Sequence, residues 1–352
     1  MEANQTTSFT VTKRNIAVLD FGVTSLKIVI VDPVHPEEPL HFQRIYLPLR
    51  TKKEEVEGVL KTLLRSYADY HIRKFIVTTT SPLFASAQET IEYIVTAITK
   101  FIHPANITFY THDERFVSIN DALADPTKVV SVGWKALGKG LWQMIKKDGL
   151  VVDFSTRTTS FIPIKEGKIL TESHSDRERI KRDELIFYGF LETNVAFIQP
   201  KFEFNGETYN LPFETHAITA DLFLITDDLQ TNDYVTDTPD KKAKFKEDAL
   251  DRLKRMLCVI DDSFSENDLI KVAHLLKVRM LEKINQIIKN KLQEHNLTRV
   301  IITGMGSDLL YKFLFDKNEY LDIIQASDIL NTAEINPSYS LAYIYATKTD
   351  DE

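Results

Sequence analysis

Cysteine is almost absent from this 352-residue chain. Cys258 stands alone, so no intrachain disulfide and no CxxC metal or redox pair can form. In the setting Met256-Leu257-Cys258-Val259 the thiol reads as part of a buried helix face. An excess of positive charge is lacking too. Lys and Arg total 43 against 51 Asp and Glu, a formal charge of −8, which excludes nucleic-acid binding through bulk positive charge. One basic run, Lys241-Lys242-Ala243-Lys244-Phe245-Lys246, reads as the solvated start of a helix. No stretch reaches the roughly 18 apolar residues of a membrane span. Met1 to Lys13, polar and Thr-rich, lacks the apolar core of a signal peptide. A soluble, cytoplasmic protein without a membrane or nucleic-acid partner is expected. The nine histidines show no HExxH or comparable zinc spacing, and no GxSxG nucleophile elbow occurs.

What is present is a globular composition, 43% hydrophobic and 27% charged. At roughly 100–200 residues per domain the length predicts about two domains. Ile16 to Asp20 and Lys27 to Val31 are β-rich runs joined by a tight polar link, which predicts a hairpin, with His41 to Leu47 as a third strand. Lys53 to Tyr70 carries apolar residues at helical spacing, Phe75 to Thr78 reads as a strand, Ala85 to Phe101 as a helix and Ile107 to Tyr110 as a strand. This is an α/β pattern with a mixed sheet. Pro126 to Lys147 reads as a helix, and the opening pattern then returns. Leu150 to Asp153 is an apolar run ending in Asp, followed by a Ser/Thr-rich link, a strand from Ser160 to Ile164, a turn at Glu166-Gly167 and a strand from Lys168 to Glu172. Further on, Lys246 to Asp261 and Ser265 to His295 read as helices, the second opened by the Ser265/Asp268 capping pattern. A strand at Val300 to Thr303, a helix from Ser307 to Phe315, a strand at Ile323 to Ala326 and a helix from Ser338 to Ala346 complete the chain.

Three links carry chemistry. In Asp20-Phe21-Gly22-Val23-Thr24-Ser25-Leu26-Lys27 the glycine admits close approach of backbone N–H groups to an anion. Thr24 and Ser25 add hydroxyls, Lys27 adds a point charge, and Asp20 at the strand end can hold Mg²⁺ through water. The run Asp153-Phe154-Ser155-Thr156-Arg157-Thr158-Thr159-Ser160 repeats the arrangement, with Arg157 able to reach a phosphate as a fork. Thr303-Gly304-Met305-Gly306-Ser307 joins a strand to a helix, whose N-terminus attracts an anion or nucleotide. Taken singly, each link is equally an ordinary turn. Their order resembles the superfamily of actin, sugar kinases and heat-shock chaperone ATPases. That resemblance implies an actin-like ATPase, ribonuclease H-like fold of duplicated α/β domains flanking a central cleft. Phosphates would be gripped by the two hairpins. The expected division is 1–148 and 149–352, with an insertion around 174–245 and a C-terminal helix able to pack back on the first domain.

A closer resemblance is to the hydantoinase/oxoprolinase-like proteins of the tetrahydromethanopterin-linked one-carbon transfer pathway, the branch that includes a methanofuran-biosynthesis enzyme. It rests on Leu19-Asp20-Phe21-Gly22 with Lys27, Val132-Gly133-Trp134-Lys135-Ala136-Leu137, Val152-Asp153 to Thr159 and Phe161-Ile162-Pro163-Ile164 with Gly167. It continues through Glu184 to Leu191 with Thr193, Thr219-Ala220-Asp221, Asp237-Thr238-Pro239-Asp240, Thr303 to Gly306 and Pro337-Ser338-Tyr339.

The resemblance implies a transferase that condenses an aminomethylfuran diphosphate with γ-glutamyltyramine, forming an ether and releasing diphosphate. The implied cofactor is Mg²⁺, held by Asp20 and Asp153. Implied catalytic groups are Lys27, Asp153 and Asp221, the last as a base for the phenol proton or simply a cap on a buried segment. Implied diphosphate donors are Gly22, Thr24, Ser25, Ser155, Thr156, Arg157, Thr158, Gly304 and Gly306. The chain departs from the family pattern at Val23, Thr24 and Ser25, where a second Gly and Ala-Asn are usual. It departs again at Ser155 for Gly, Ser160 for Asp and Glu192 for Arg. These departures leave open an ATP-dependent phosphotransferase or ATPase and a non-catalytic binding relative.

Overall fold

The computed structural model describes residues 14–79, 83–261, 263–318, 320–330 and 336–348. The reading of Met1 to Lys13 lies outside them. The described residues form two compact units, one running to Val132 and resuming at Leu341, the other spanning Gly133–Ser340.

The first unit holds strands β1 (Ile16–Phe21), β2 (Ser25–Asp32), β3 (His35–Tyr46), β4 (Lys74–Thr79), β5 (Ile107–Tyr110) and β6 (Phe116–Val117). Its helices are α1 (Val56–Ser66), α2 (Ala87–Ile98) and α3 (Ile119–Ala124). The sheet order is β3-β2-β1-β4-β5-β6. β1 runs antiparallel to β2 and parallel to β4, which is parallel to β5. Every residue of β1 is buried, the near-continuous apolar run of a strand covered on both faces. Val56, Leu60 and Leu63 of α1 and Ile91, Ile94 and Ile98 of α2 pack with Leu19, Phe21, Ile28 and Val77, so the helical spacing becomes a single buried face.

The second unit opens with α4 (Gly133–Ile145), β7 (Gly149–Phe154), β8 (Thr159–Lys165) and β9 (Lys168–Ile169). The stretch expected as an insertion carries α5 (Asp176–Lys181), β10 (Leu185–Ile186), α6 (Val195–Ile198), β11 (Lys201–Phe204), β12 (Glu207–Asn210) and α7 (Thr219–Ile225). Then follow α8 (Lys246–Met256), α9 (Glu266–Glu294), β13 (Arg299–Thr303), α10 (Ser307–Lys317), β14 (Asp322–Gln325), α11 (Ala326–Leu330) and the start of α12 (Pro337–Lys348), whose residues from Leu341 onward belong to the first unit. The sheet order is β10-β8-β7-β13-β14, with β9 also on β8. β7 is antiparallel to β8 and parallel to β13, and β13 is parallel to β14. Residues alternate between its faces. Leu150, Val152 and Ile302 pack with Leu276, Met280 and Ile284 of α9. Val151 and Ile301 pack with Trp134, Leu137 and Leu141 of α4.

Both units therefore share one strand order and one set of strand directions, the duplicated ribonuclease H-like arrangement of the actin-like ATPase fold. The correspondence extends to single residues. Asp20 lies opposite Lys27 on β2 and beside Thr78 on β4. Asp153 lies opposite Ser160 on β8 and beside Thr303 on β13.

Several local expectations change. The helix expected from Pro126 is a short 3₁₀ turn at Pro126–Lys128, and α4 begins only at Gly133. Ser131 between them has φ of +58°, which no α-helix accommodates. Because α4 packs on β7 and β8, the compact division falls after Val132 rather than after residue 148. The strand expected at Lys168 to Glu172 is only two residues long. Cys258 is exposed, not a core thiol. α8 ends at Met256, and Cys258 turns the chain with φ of +55° while its N–H donates to Arg255 O at 3.0 Å, leaving the helix face that would have buried it. Of the basic run at 241–246 only Lys246 lies in α8, as its first residue; the rest precedes the helix. Among the described residues no helix is long and apolar enough to cross a membrane.

Candidate functional site

The first hairpin is closed by Gly22, whose N–H donates to Ser25 O at 2.9 Å. Its outer edge is tied down where Leu47 and Leu49 N–H groups donate to Thr24 O and Val23 O at 2.9 and 3.1 Å. Asp20 is completely buried, and Lys27 Nζ donates to its Oδ2 at 2.9 Å across the two strands. Lys27 is held at the base of the turn, with 15% of its side chain exposed. Gly22 and Ser25 are buried and Thr24 is half-buried.

In the second hairpin Ser155 N–H donates to Thr158 O at 3.0 Å and closes the turn. Ser155 Oγ donates to Asp153 Oδ1 at 2.6 Å. Asp153, Ser155, Thr156, Arg157 and Thr158 are all half-buried, accessible enough to meet a ligand. The glycine loop meets this hairpin directly. Gly306 N–H donates to Phe154 O at 2.9 Å. Gly304 has φ of +95°, and a Cβ there would fall 2.5 Å from Asp153 Oδ1 and 2.6 Å from Phe154 O. A Cβ on Gly306 would fall 2.4 Å from the Phe154 ring. Only glycine permits this approach. It places the N-terminus of α10, the positive end of its helix dipole, beside the Asp153 turn.

A strap from Phe187 to Thr193 supports the turn from below. Phe190 N–H donates to Ser155 O, and Leu191 and Glu192 N–H groups donate to Thr156 O, at 2.8, 2.9 and 3.1 Å. Gly189 lies so close to the Arg157 backbone that a Cβ would sit 2.2 Å from its carbonyl carbon. Thr193 Oγ1 accepts from Gly189 N–H at 2.8 Å, and Thr219 Oγ1 donates to Gly189 O at 2.8 Å. Glu192 Oε2 lies 3.1 Å from Arg157 Nε. Burial pushes the Glu192 carboxyl up, Arg157 opposes this, and the Asp237 carboxylate adds to it. Arg179 on α5 is buried against the Trp134 ring. Burial brings it down to about 10, against the pull of Asp176, Glu184 and Asp153, so a buried cation lies within electrostatic reach of Asp153.

The structure thus gathers Asp153, Ser155, Thr156, Arg157, Thr158, Gly304 and Gly306 at one place in the second unit. Gly22, Thr24, Ser25, Asp20 and Lys27 gather on the hairpin of the first. Asp221 belongs to neither group. It sits wholly buried in the first turn of α7, where Oδ2 accepts from Ile218 N–H at 3.0 Å. Its Oδ1 accepts from Arg252 Nε at 2.7 Å and from Tyr234 OH at 3.1 Å. Arg252 also donates to Asp240 Oδ1 and Ala243 O, both at 3.2 Å, and so ties down the loop carrying Asp237. Burial pushes Asp221 up to about 6, against Arg252, Ile218 N–H and Tyr234. Capping and loop anchoring account for this carboxylate; a base for a substrate proton would need access it does not have. Arg252, Tyr234 and the strap contacts escape sequence reasoning, because they arise only when α7, α8 and β10 pack. The segment Glu184 to Thr193 was nonetheless visible as a stretch shared with the resembling family.

Among the described residues no three or more His, Cys, Asp or Glu side chains are grouped to hold a metal. Mg²⁺ is commonly bound by one or two carboxylates together with substrate oxygens. Asp153, half-buried and flanked by hydroxyls, fits that donor type. Asp20 fits it less well, being fully enclosed and engaged by the Lys27 ammonium.

The sequence pattern of the hydantoinase/oxoprolinase family matches residues 77–327. A Methanocaldococcus jannaschii protein named (4-{4-[2-(gamma-L-glutamylamino)ethyl]phenoxymethyl}furan-2-yl)methanamine synthase is 29% identical across 94% of this chain and 98% of its own. The synthase of the same name from Methanococcus vannielii is 30% identical across 57% of this chain and 92% of its own. Among solved structures, the activator of the 2-hydroxyisocaproyl-CoA dehydratase from Clostridium difficile covers 96% of this chain and 97% of its own at 11% identity, with a TM-score of 0.45. With more than half its length matched by the family pattern, this chain belongs to the hydantoinase/oxoprolinase family.

Proposed function

We propose that this protein is a transferase that joins the furylmethyl carbon of an aminomethylfuran diphosphate to the phenol oxygen of γ-glutamyltyramine and releases diphosphate. The observation that carries this reading is the nearly end-to-end match to the Methanocaldococcus jannaschii synthase, whose name describes that aryl ether. The geometry of the Asp153 turn supports it, because the reaction's chief electrostatic demand is a leaving diphosphate.

In the proposed step the bond between the furylmethyl carbon and the diphosphate oxygen breaks, and both electrons leave with diphosphate. The furan ring spreads the positive charge left on carbon. The phenol oxygen forms the new carbon–oxygen bond, and its proton passes to the departing diphosphate or to water. Preorganised donors aimed at the departing charge supply the largest part of such catalysis. We assign that task to Arg157, to the hydroxyls and backbone of Ser155, Thr156 and Thr158, and to the Gly304–Gly306 loop at the start of α10. On the first hairpin Lys27, Gly22, Thr24 and Ser25 are proposed as further diphosphate donors, with Asp20 fixing Lys27. Asp153 would hold Mg²⁺ together with substrate oxygens, and the bound ion would neutralise charge on the departing diphosphate. Its partners would be small molecules only.

The test incubates the protein with Mg²⁺, aminomethylfuran diphosphate and γ-glutamyltyramine, beside a second tube with ATP, and follows products by mass spectrometry. Ether and diphosphate in equal amounts are expected. ADP in the ATP tube without ether would replace this reading with a phosphotransferase or ATPase. No product in either tube would replace it with a binding protein.

A further inference from the structure

We infer that Phe187 is a catalytic residue: the face of its ring receives the furan of the substrate and stabilises the positive charge that grows there as diphosphate leaves. This rests on the functional reading above. The placement begins with the main chain. β10 ends at Ile186, paired with Thr159 of β8, and Phe187 is the next residue, at the start of the strap. The Phe187 carbonyl accepts from Thr193 Oγ1 at 3.2 Å, and the Tyr188 carbonyl accepts from Thr159 Oγ1 at 2.6 Å. Two residues on, Gly189 packs against the Arg157 backbone. The backbone at Phe187 is therefore fixed alongside the Ser155–Thr158 turn.

The neighbours of Phe187 decide which face its ring takes. Ile186 and Tyr188 both pack against the cluster on the α9 side of the sheet. Two side chains on either side of one residue reach the same face only when the residue between them is turned away. Phe187 is thus directed to the opposite face. Asp153 is directed there as well, because Val152 and Phe154 on either side of it belong to the α9-side cluster. Leu185 lies opposite Ser160, and Ser160 opposite Asp153, so these three share that face as cross-strand neighbours. Leu185 is only 5% exposed, whereas Phe187 is 54% exposed. A strap whose Gly189, Phe190 and Leu191 are buried presents one large ring to solvent, on the face of Asp153 and beside the turn.

The donor's furan is joined to diphosphate through a single carbon. A diphosphate held on the Ser155–Thr158 turn therefore brings the furan to the edge of that turn, where Phe187 stands. When the carbon–oxygen bond breaks, both electrons leave with diphosphate and the positive charge spreads over the furylmethyl carbon and its ring. The donors that bind diphosphate cannot stabilise this charge, and the Arg157 cation opposes it. An aromatic face attracts a cation through its quadrupole. It also offers no lone pair, so it cannot capture the carbon in place of the phenol oxygen. Phe187 forms and breaks no bond in the step.

The experiment measures ether formation from aminomethylfuran diphosphate and γ-glutamyltyramine, calorimetric titration with inorganic pyrophosphate and Mg²⁺, and melting curves. Phe187→Leu keeps an apolar side chain and removes the ring. It should lower kcat and kcat/KM together about 10-fold. Pyrophosphate has no furan, and should bind this variant within about twofold of the unmodified protein. Phe187→Trp should hold kcat within about threefold of the unmodified rate, or raise it. A leucine variant with full kcat would overturn the inference. So would a raised KM at unchanged kcat, which would leave the ring as an apolar contact only. Pyrophosphate binding weakened as much as the rate would overturn it too, by making Phe187 a support of the turn. If the unmodified protein makes the ether but a variant shows one of these results, the inference alone fails. If the unmodified protein makes no ether, the functional reading fails with it.

Discussion

Gly304 and Asp221 show what single residues contribute to this chain. Gly304 combines a left-handed backbone with a neighbour that leaves no room for a side chain. Gly304→Ala would strain the backbone and push a Cβ into Asp153 Oδ1. A loss of roughly 2–3 kcal/mol is expected, with weaker Mg²⁺–pyrophosphate binding as Asp153 is displaced. Denaturant melts and calorimetry measure both; an alanine variant that melts like the unmodified protein would contradict the close approach. The sequence made this glycine visible as half of a Gly-x-Gly before a helix, but not what it backs onto. Asp221 was visible too, and its role was left balanced between base and cap. Only packing decides for the cap, since Arg252 and Tyr234 are remote in sequence. Its carboxyl is raised to about 6 from an ordinary 3.8. A carboxyl raised by folding binds protons more readily in the folded state, so its contribution to stability grows as pH falls from about 6 toward 3.8. The melting-temperature gap between the unmodified protein and Asp221→Asn should therefore widen on acidification from pH 7 to pH 4. A gap that narrows over that range would reverse the assignment.

At the scale of elements, the hairpins and long helices were legible because each is specified locally. The Asp-ended apolar runs are buried on both faces, and the turns between them contain small or hydroxyl residues. The Ser265/Asp268 box opens α9 where the spacing placed it, with Ser265 Oγ accepting from Asp268 N–H at 3.2 Å. The Phe187–Thr193 strap was not legible as a support, because its shape depends on β10 pairing with β8 and on Thr219 reaching it from α7. The strap's weak point is Gly189 N–H, a buried donor satisfied by Thr193 Oγ1 at 2.8 Å. Thr193→Val keeps the shape and removes the acceptor. Leaving that group unpaired should cost about 1–3 kcal/mol. Thr193→Ser should recover most of it. If valine proves neutral in denaturant melts, the strap is held by its other contacts.

On the scale of the whole molecule the main fact is repetition. One strand order is used twice, and each copy places an aspartate at the same register position, opposite the second strand and beside the first crossover strand. The sequence carried this plainly, as two apolar runs ending in Asp. It did not carry the difference in use, because that lies in the residue across the pair. Lys27 faces Asp20 and closes it into an ion pair, whereas the residue facing Asp153 across the pair is Ser160, which carries no charge. The same substitution should then have two different consequences. Asp20→Asn removes the partner of an ammonium that is only 15% exposed, and should cost roughly 1–3 kcal/mol of stability as that charge loses its carboxylate. Asp153→Asn takes away a half-buried carboxylate bonded to a serine hydroxyl, and should shift stability by less than about 1 kcal/mol. It should nevertheless weaken Mg²⁺-dependent pyrophosphate binding about 10- to 100-fold, while binding without Mg²⁺ changes little. Melting curves and titrations with and without Mg²⁺ on the two variants distinguish a structural aspartate from a functional one. Equal effects in both assays would mean that the duplicated position has kept one role in both units.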